Sequence, residues 1–375
     1  MMGKFLVIFV AAYAGFTTAD THYLLSGFFS GTSIAALEFD DAKLSLNLIN
    51  DITINANSSK WISLDESKEN LYVGAPGYFQ SYSITSGLEL DYQSSASLPS
   101  NCSNANYIVA AIKEPHAVFG APFNLGCSAL AISVDAAGSL QSSFANITYD
   151  NRAGVHGLAL SPQADFIYSA DDTGNAVWVH SYNQPSAVIK EVQRISAPDG
   201  SDPRHIAVHP AGLFVYVVYE KSNELAIYTR NKSTGRLVNT NVTYSLIPSS
   251  FSNYSSYYGD EVAFSIPGEK SLPPRYLICS TRSLGTTPGY VTAFALDPLA
   301  GNITSQLFVL PTTGTGGQAN AVSPASFSEE HFATTDTSSN FIEVWKIESN
   351  KTSTSAFAAA HVDLDSAPAN AVWYT

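Results

Sequence analysis

The chain has 375 residues, a formal net charge of −14, and 13% charged residues against 45% hydrophobic ones. No Lys/Arg cluster interrupts this acidic balance, which argues against a nucleic-acid surface, since that needs a basic patch. The net negative field also repels anions at long range, so any anion site must rest on local cations.

Tyr and Phe number 20 each, beside 24 Gly and 18 Pro. That is the composition many short strands and tight turns require.

The first residues read as an export signal. Lys4 gives a short positive region, Phe5 to Phe16 is an apolar run, and Thr17-Thr18-Ala19 is a small-residue cleavage site before Asp20. The run is too short to span a bilayer, and no membrane insertion is expected. The expected organisation is a signal peptide over residues 1–19 and one domain over 20–375. His22 to Phe28 and Ile34 to Phe39 then read as two strands of a unit that lacks its inner strand.

From there a strand–turn–strand unit recurs. Trp61-Ile62-Ser63-Leu64-Asp65 is followed by Leu71-Tyr72-Val73-Gly74-Ala75. Gly157-Leu158-Ala159-Leu160-Ser161-Pro162 is followed by Phe166-Ile167-Tyr168-Ser169-Ala170. His205-Ile206-Ala207-Val208-His209-Pro210 is followed by Phe214-Val215-Tyr216-Val217-Val218. Weaker copies start near Ile108, Val262 and Ala321. Each copy leads into a further strand pair, such as Ala176 to Tyr182 and Glu224 to Thr229.

Starts roughly 45 to 60 residues apart match propeller-blade length, and four strands make a blade. Ala371-Val372-Trp373-Tyr374 reads as an inner strand with nothing after it. Pairing it with the N-terminal strands closes a ring and removes an exposed edge. The prediction is an all-β, seven-bladed propeller closed by its two ends. Two stacked β-sandwiches are disfavoured, because their strands would not repeat at blade length.

Asn-x-Ser/Thr sequons begin at Asn57, Asn101, Asn146, Asn231, Asn241, Asn253, Asn302 and Asn350. With the export signal they predict a secreted glycoprotein, extracellular or in the cell wall. Of Cys102, Cys127 and Cys279, the pair Cys102–Cys127 is expected to bond, since both fall in one repeat unit. No Cys/His spacing suggests zinc, and Gly316-Gly317 lacks the Lys-Ser/Thr of a phosphate loop.

The start of an inner strand and the exit of the second strand point into a propeller's central funnel. His156, Arg204, Glu220 and Arg282 take such places in the fourth, fifth and sixth blades. Two arginines, a histidine and a carboxylate suit an anionic substrate with acid–base groups beside it. Gln318 and Asn320 are further candidates for substrate binding, and Asp171 and Asp336 either line the funnel or cap turns. His205 and His209 read as structural.

At these residues the chain resembles the fungal 3-carboxy-cis,cis-muconate cyclases, within the wider group of 6-phosphogluconolactonase-like lactonases. The resemblance rests on Val155-His156-Gly157, on Pro203-Arg204-His205-Ile206-Ala207-Val208-His209-Pro210, on Glu220 with Asn223, on Arg282, and on Gly316-Gly317-Gln318-Ala319-Asn320-Ala321-Val322-Ser323-Pro324. It covers essentially the whole mature chain.

The resemblance implies that His156, Arg204, Glu220 and Arg282 form the active site. It further implies an intramolecular lactonisation of a small polycarboxylate, with neither metal nor organic cofactor. His156 is the expected general acid and Glu220 its partner or the alternative acid. The same groups would serve a lactone hydrolase. Export, unlike the intracellular catabolism of the cyclases, also admits a non-catalytic surface antigen or adhesin that binds extracellular matrix or glycan.

Overall fold

The structure is a computed structural model and describes residues 20–113, 116–183, 186–251, 254–350 and 352–375. The expected export signal, residues 1–19, and the sequon at Asn253 lie outside the described residues.

Among the described residues the strands form seven four-stranded antiparallel sheets arranged as the blades of a propeller. Blade one takes its inner strand, Pro368–Trp373, from the C-terminus and its other three from the N-terminus: Thr21–Phe28, Ser33–Asp40 and Ser45–Thr53. The closing register sets Leu24 opposite Trp373, Leu25 opposite Val372 and Ser26 opposite Ala371. The inner strands of blades two to seven are Trp61–Leu64, Ala105–Ala110, Val155–Leu160, Pro203–Val208, Tyr257–Phe264 and Val322–Pro324.

Burial explains why the blades stack. Second strands such as Asn70–Ala75, Ala117–Pro122 and Phe166–Asp171 are buried on both faces, whereas an outermost strand such as Val188–Ser196 is exposed or half-buried throughout. Among the described residues, seven of the eight apolar clusters join two neighbouring blades. One unites Tyr168, Val177 and Val179 of blade four with Val215, Val217 and Tyr219 of blade five. Another unites Leu24, Leu37 and Phe39 of blade one with Ala333, Ile342 and Val344 of blade seven. No blade buries its own faces, so closure of the ring completes the core.

A tyrosine latch recurs between blades. Tyr72, Tyr168 and Tyr216, each on a second strand, donate to the carbonyls of Gly138, Gly235 and Gly301 in an outer turn of the following blade, at 3.0, 3.0 and 2.6 Å. The hydroxyl would otherwise be buried without a partner. Cys102 and Cys127 are disulfide-bonded within blade three, their Cα atoms 5.8 Å apart.

The ends are fastened a second time by Asn370. Its amide accepts from Ile62 N at 2.9 Å and donates to Ile62 O at 3.0 Å, tying blade one to blade two in a buried site. Replacing Asn370 with Ala leaves both backbone groups buried and unpaired. We expect a loss of about 2 kcal/mol or more in denaturant unfolding, with an unchanged slope. An unchanged midpoint would contradict this role for Asn370.

Candidate functional site

The inner strands share a local irregularity at their funnel end. The ladder slips by one residue between Ala105 and Tyr107, Val155 and Gly157, Pro203 and His205, and Gly259 and Val262. A β-bulge leaves its extra residue unpaired and re-aims the side chain. The residues so placed include Asn106, His156, Arg204 and Asp260. Lys60 and Asn320 take the matching position just ahead of their own inner strands.

A second layer follows one residue on, with Trp61, Tyr107, His205 and Glu261. Trp61 of blade two meets His205 of blade five edge-on at 4.9 Å, and Tyr107 stacks on Trp61 at 5.0 Å. These rings cross the axis and plug the channel. Beyond them the lining is apolar, with Leu158, Ile206, Val208, Val262 and Phe264 around a 380 Å³ hollow.

The polar cluster is built around Arg204. Its Nε donates to Asp260 Oδ1 at 2.8 Å, and its Nη1 lies 3.4 Å from both oxygens of Glu220. Arg282 donates to Glu220 and stands 4.0 Å from Asp260. Asp172 hydrogen-bonds Glu220 and completes the group. Gly316, at φ +82°, lets the loop before the seventh inner strand close on this cluster. A Cβ there would lie 2.9 Å from that of Arg282.

His156 occupies the adjoining wall. Its Nε2 is 3.2 Å from the Asn106 amide nitrogen and its Nδ1 is 3.0 Å from His205 Nε2. His205 Nδ1 in turn lies 2.7 Å from Glu261 Oε2. With the Asn106 amide donating, His156 carries its proton on Nδ1 and passes that hydrogen bond to His205. Gly157 makes room for this contact, since a Cβ there would sit 2.7 Å from Arg204 O. His156 and Arg204 face a 210 Å³ cavity with Lys60, Asn106, Phe123 and Gln318. Phe29 and Gln318 also line a neighbouring 630 Å³ cleft.

Protonation in this cluster is set by burial and by the two guanidinium groups. Burial, and the Arg204 charge after it, holds His156 well below the usual imidazole range. A general acid must carry its proton at the working pH, and this burial works against His156 in that role. Burial and the hydrogen bond that Asp172 donates to Glu220 push Asp172 up to about 9. Burial works against ionisation of Glu220 too, yet Arg204, the Asp172 hydrogen bond and Arg282 hold it down to about 2. Asp172 and Glu220 therefore share one proton at neutral pH, and Asp172 holds it.

The remaining candidates divide. Asp171 accepts from Gly154 N, Gly174 N and Trp178 Nε1, which fastens a turn. Asp336 does the same for Gly316, Ser338 and Ser339. Asn320, expected to bind substrate, commits its amide to Thr281 O at 2.9 Å. Gln318 stands at the cavity rim. His209 accepts from Ala211 N in a turn. His205, read as structural, instead supports His156 directly.

Asn106, Asp172, Asp260, Glu261 and Lys60 escaped the sequence reading. A signal for most of them exists: a polar residue, any residue, then an aliphatic one opens each inner strand, as in Lys60-Trp61-Ile62, Asn106-Tyr107-Ile108 and Asp260-Glu261-Val262.

The family described as Lactonase, 7-bladed beta-propeller, matches residues 13–306. Carboxy-cis,cis-muconate cyclase of Neurospora crassa is 30% identical over 348 residues, 87% of this chain and 93% of that one. The periplasmic gluconolactonase of Pseudomonas aeruginosa superposes with a TM-score of 0.78 at 18% identity, over 94% of this chain and 99% of that one. A putative 6-phosphogluconolactonase of Bacteroides uniformis gives 0.75 at 15% identity over the same shares. At such identities the two structures speak to the fold alone.

Four histidines are held neutral by burial: His156, and His180, His209 and His331, the last three pushed down to about 4. The unfolded chain takes up these protons near 6.5, and the folded chain does not. Their contribution to stability is therefore complete above about 6.5 and is lost as the pH falls toward 4. In urea unfolding each adds up to about 1.4 kcal/mol per pH unit to the slope across that window. His156→Asn should remove one proton's share, and an unaltered slope would show that His156 is charged in the folded protein.

Proposed function

Since the chain belongs to the family of seven-bladed β-propeller lactonases, we propose that its funnel closes a muconate-type polycarboxylate to a lactone, the chemistry of a carboxy-cis,cis-muconate cyclase. One observation carries this reading. Arg204, Glu220 and Arg282 meet in one cluster, and His156 lines the adjoining cavity with Arg204, the four drawn from three consecutive blades.

The reaction forms a C–O bond between a substrate carboxylate oxygen and a carbon of the double bond. The π electrons move onto the neighbouring carbon and its conjugated carboxylate, and a proton is added at that carbon. Arg204 and Arg282 stabilise the enolate-like charge as it develops. Asp172, protonated at neutral pH, delivers the proton through its pairing with Glu220, and solvent restores it. One proton is consumed per ring closed, and nothing is oxidised or reduced. Neutral His156, fixed in one tautomer by Asn106 and His205, forms the cavity wall beside the substrate. No metal or organic cofactor enters this scheme.

A second reading is lactone hydrolysis. It draws on the same neutral His156, whose Nε2 accepts a proton from water once that water displaces the Asn106 amide. Assay of the purified protein against 3-carboxy-cis,cis-muconate and a panel of lactones separates the two. No turnover of either class would leave the surface-antigen reading, with matrix or glycan as partner.

Replacing Arg204 or Arg282 with Ala should lower kcat/KM about ten- to a hundredfold, and Lys should restore it only in part. Because the active form carries the shared proton, kcat/KM should be level at neutral pH and fall as pH rises through about 9. Asp172→Asn should fold normally, since an amide mimics the protonated carboxyl, yet lose turnover. A fully active Asp172→Asn enzyme would remove Asp172 from the mechanism.

We also assign the protein to the secretory route. Asn57, Asn101, Asn146, Asn231, Asn241 and Asn350 are exposed and Asn302 is half-buried. The Cys102–Cys127 disulfide suits an oxidising compartment. First-strand pairing begins at Thr21, just past the expected cleavage point. Secreted material should run as a ladder of higher-mass forms that enzymatic deglycosylation collapses, with a mature N-terminus near Asp20. Recovery from cytosol alone at unmodified mass would refute export.

A further inference from the structure

The cations of the funnel are not equally available to a ligand. Arg204 and Arg282 are already met by Glu220 and Asp260 at ion-pair distance. With the proton resting on Asp172, two guanidinium charges face two carboxylates and the cluster is close to neutral. It stabilises charge that develops during a reaction, but it holds little surplus to attract an anion on arrival.

Lys60 differs. It lines the same cavity as His156 and Arg204 and is half-buried. Its Nζ donates to the neutral Asn104 Oδ1 at 2.5 Å, and among the described residues no carboxylate lies within ion-pair distance of it. Asn104 is itself immobilised, its amide donating to Phe123 O at 3.1 Å and its backbone N to Asn124 Oδ1 at 2.8 Å. One ammonium donor is therefore used and two remain. An ammonium so placed has lost part of its hydration without gaining a counter-charge, and its affinity for the proton is lowered by that desolvation.

We infer that Lys60 is the substrate-binding cation of the cavity: it takes a carboxylate of the incoming molecule and selects carboxylate-bearing substrates over neutral lactones. A carboxylate at Lys60 shares the cavity with Asn106 and Gln318, which also line it. The rest of a polycarboxylate extends toward His156 and Arg204, or into the adjoining cleft past Phe29 and Gln318. A neutral sugar lactone leaves the half-buried ammonium unpaired, which costs affinity.

This inference rests on the cyclase reading for its substrate, but it is testable without turnover. The probe is tricarballylate, an unreactive tricarboxylate, titrated calorimetrically into the full secreted chain. Wild type should bind it. Lys60→Met should weaken binding about ten- to a hundredfold, the span of one charge-assisted contact, and Lys60→Arg should retain most of it. With 3-carboxy-cis,cis-muconate, Lys60→Met should raise KM by a similar factor while kcat changes little.

Among the described residues Lys60 has one side-chain hydrogen bond and no ion pair, so thermal unfolding of both variants should match wild type and serves as the folding control. Equal tricarballylate affinity in wild type and Lys60→Met overturns the inference, as does a wild type that binds none. Muconate turnover with KM unchanged in Lys60→Met overturns it too and leaves the cyclase reading standing. Lys60-dependent tricarballylate binding without any muconate turnover does the reverse: it supports the anion site and refutes the cyclase assignment.

Discussion

A guanidinium taken out of water at the axis of a propeller must be met by carboxylates, or the penalty reaches several kcal/mol. Arg204 is in that position, and its demands organise everything around it. It draws Asp260 from blade six, Glu220 from its own blade and the Gln318 carbonyl from blade seven. The same two carboxylates then hold Arg282. A third carboxyl, Asp172, packs against Glu220, and burial together with that contact keeps it protonated at neutral pH. The acid–base state of the site is thus a consequence of packing one buried cation.

The backbone device behind this arrangement is the bulge at the funnel end of the inner strands. A regular ladder would send successive side chains to alternate faces of the blade, into the inter-blade core. One extra residue breaks that alternation and turns a polar side chain to the axis. The following residue supplies the floor. Trp61, Tyr107 and His205 close the channel there, so the polar chemistry is confined to one mouth and shielded from the apolar hollow beyond. His205 serves both layers, stacking with the plug while holding His156 in one tautomer.

Not every funnel position is spent on chemistry. Asn370 and Asn320 open their inner strands like Asn106 and His156, yet their amides bind the backbone of a neighbouring blade at Ile62 and Thr281. The polar half of the funnel spans blades two to six. On either side of blades seven and one these amides tie blade one to blade two and blade seven to blade six.

The sequence by itself determined the ring. The repeat of strand pairs at blade length, the orphan inner strand at Ala371 to Tyr374 and the unpaired strands at His22 to Phe39 leave one economical closure, because local periodicity and edge satisfaction are properties of short segments. It also marked His156, Arg204, Glu220 and Arg282, whose places at strand starts and exits follow from the repeat. Tertiary structure alone decided their states. That Arg204 is already neutralised, that His156 is uncharged, that Asp172 holds the proton and that Lys60 stands without a counter-charge depend on which side chains from other blades lie within a few ångströms. Pairing and desolvation act through space, and the partners concerned are up to about a hundred residues apart along the chain, as Arg204 and Gln318 are.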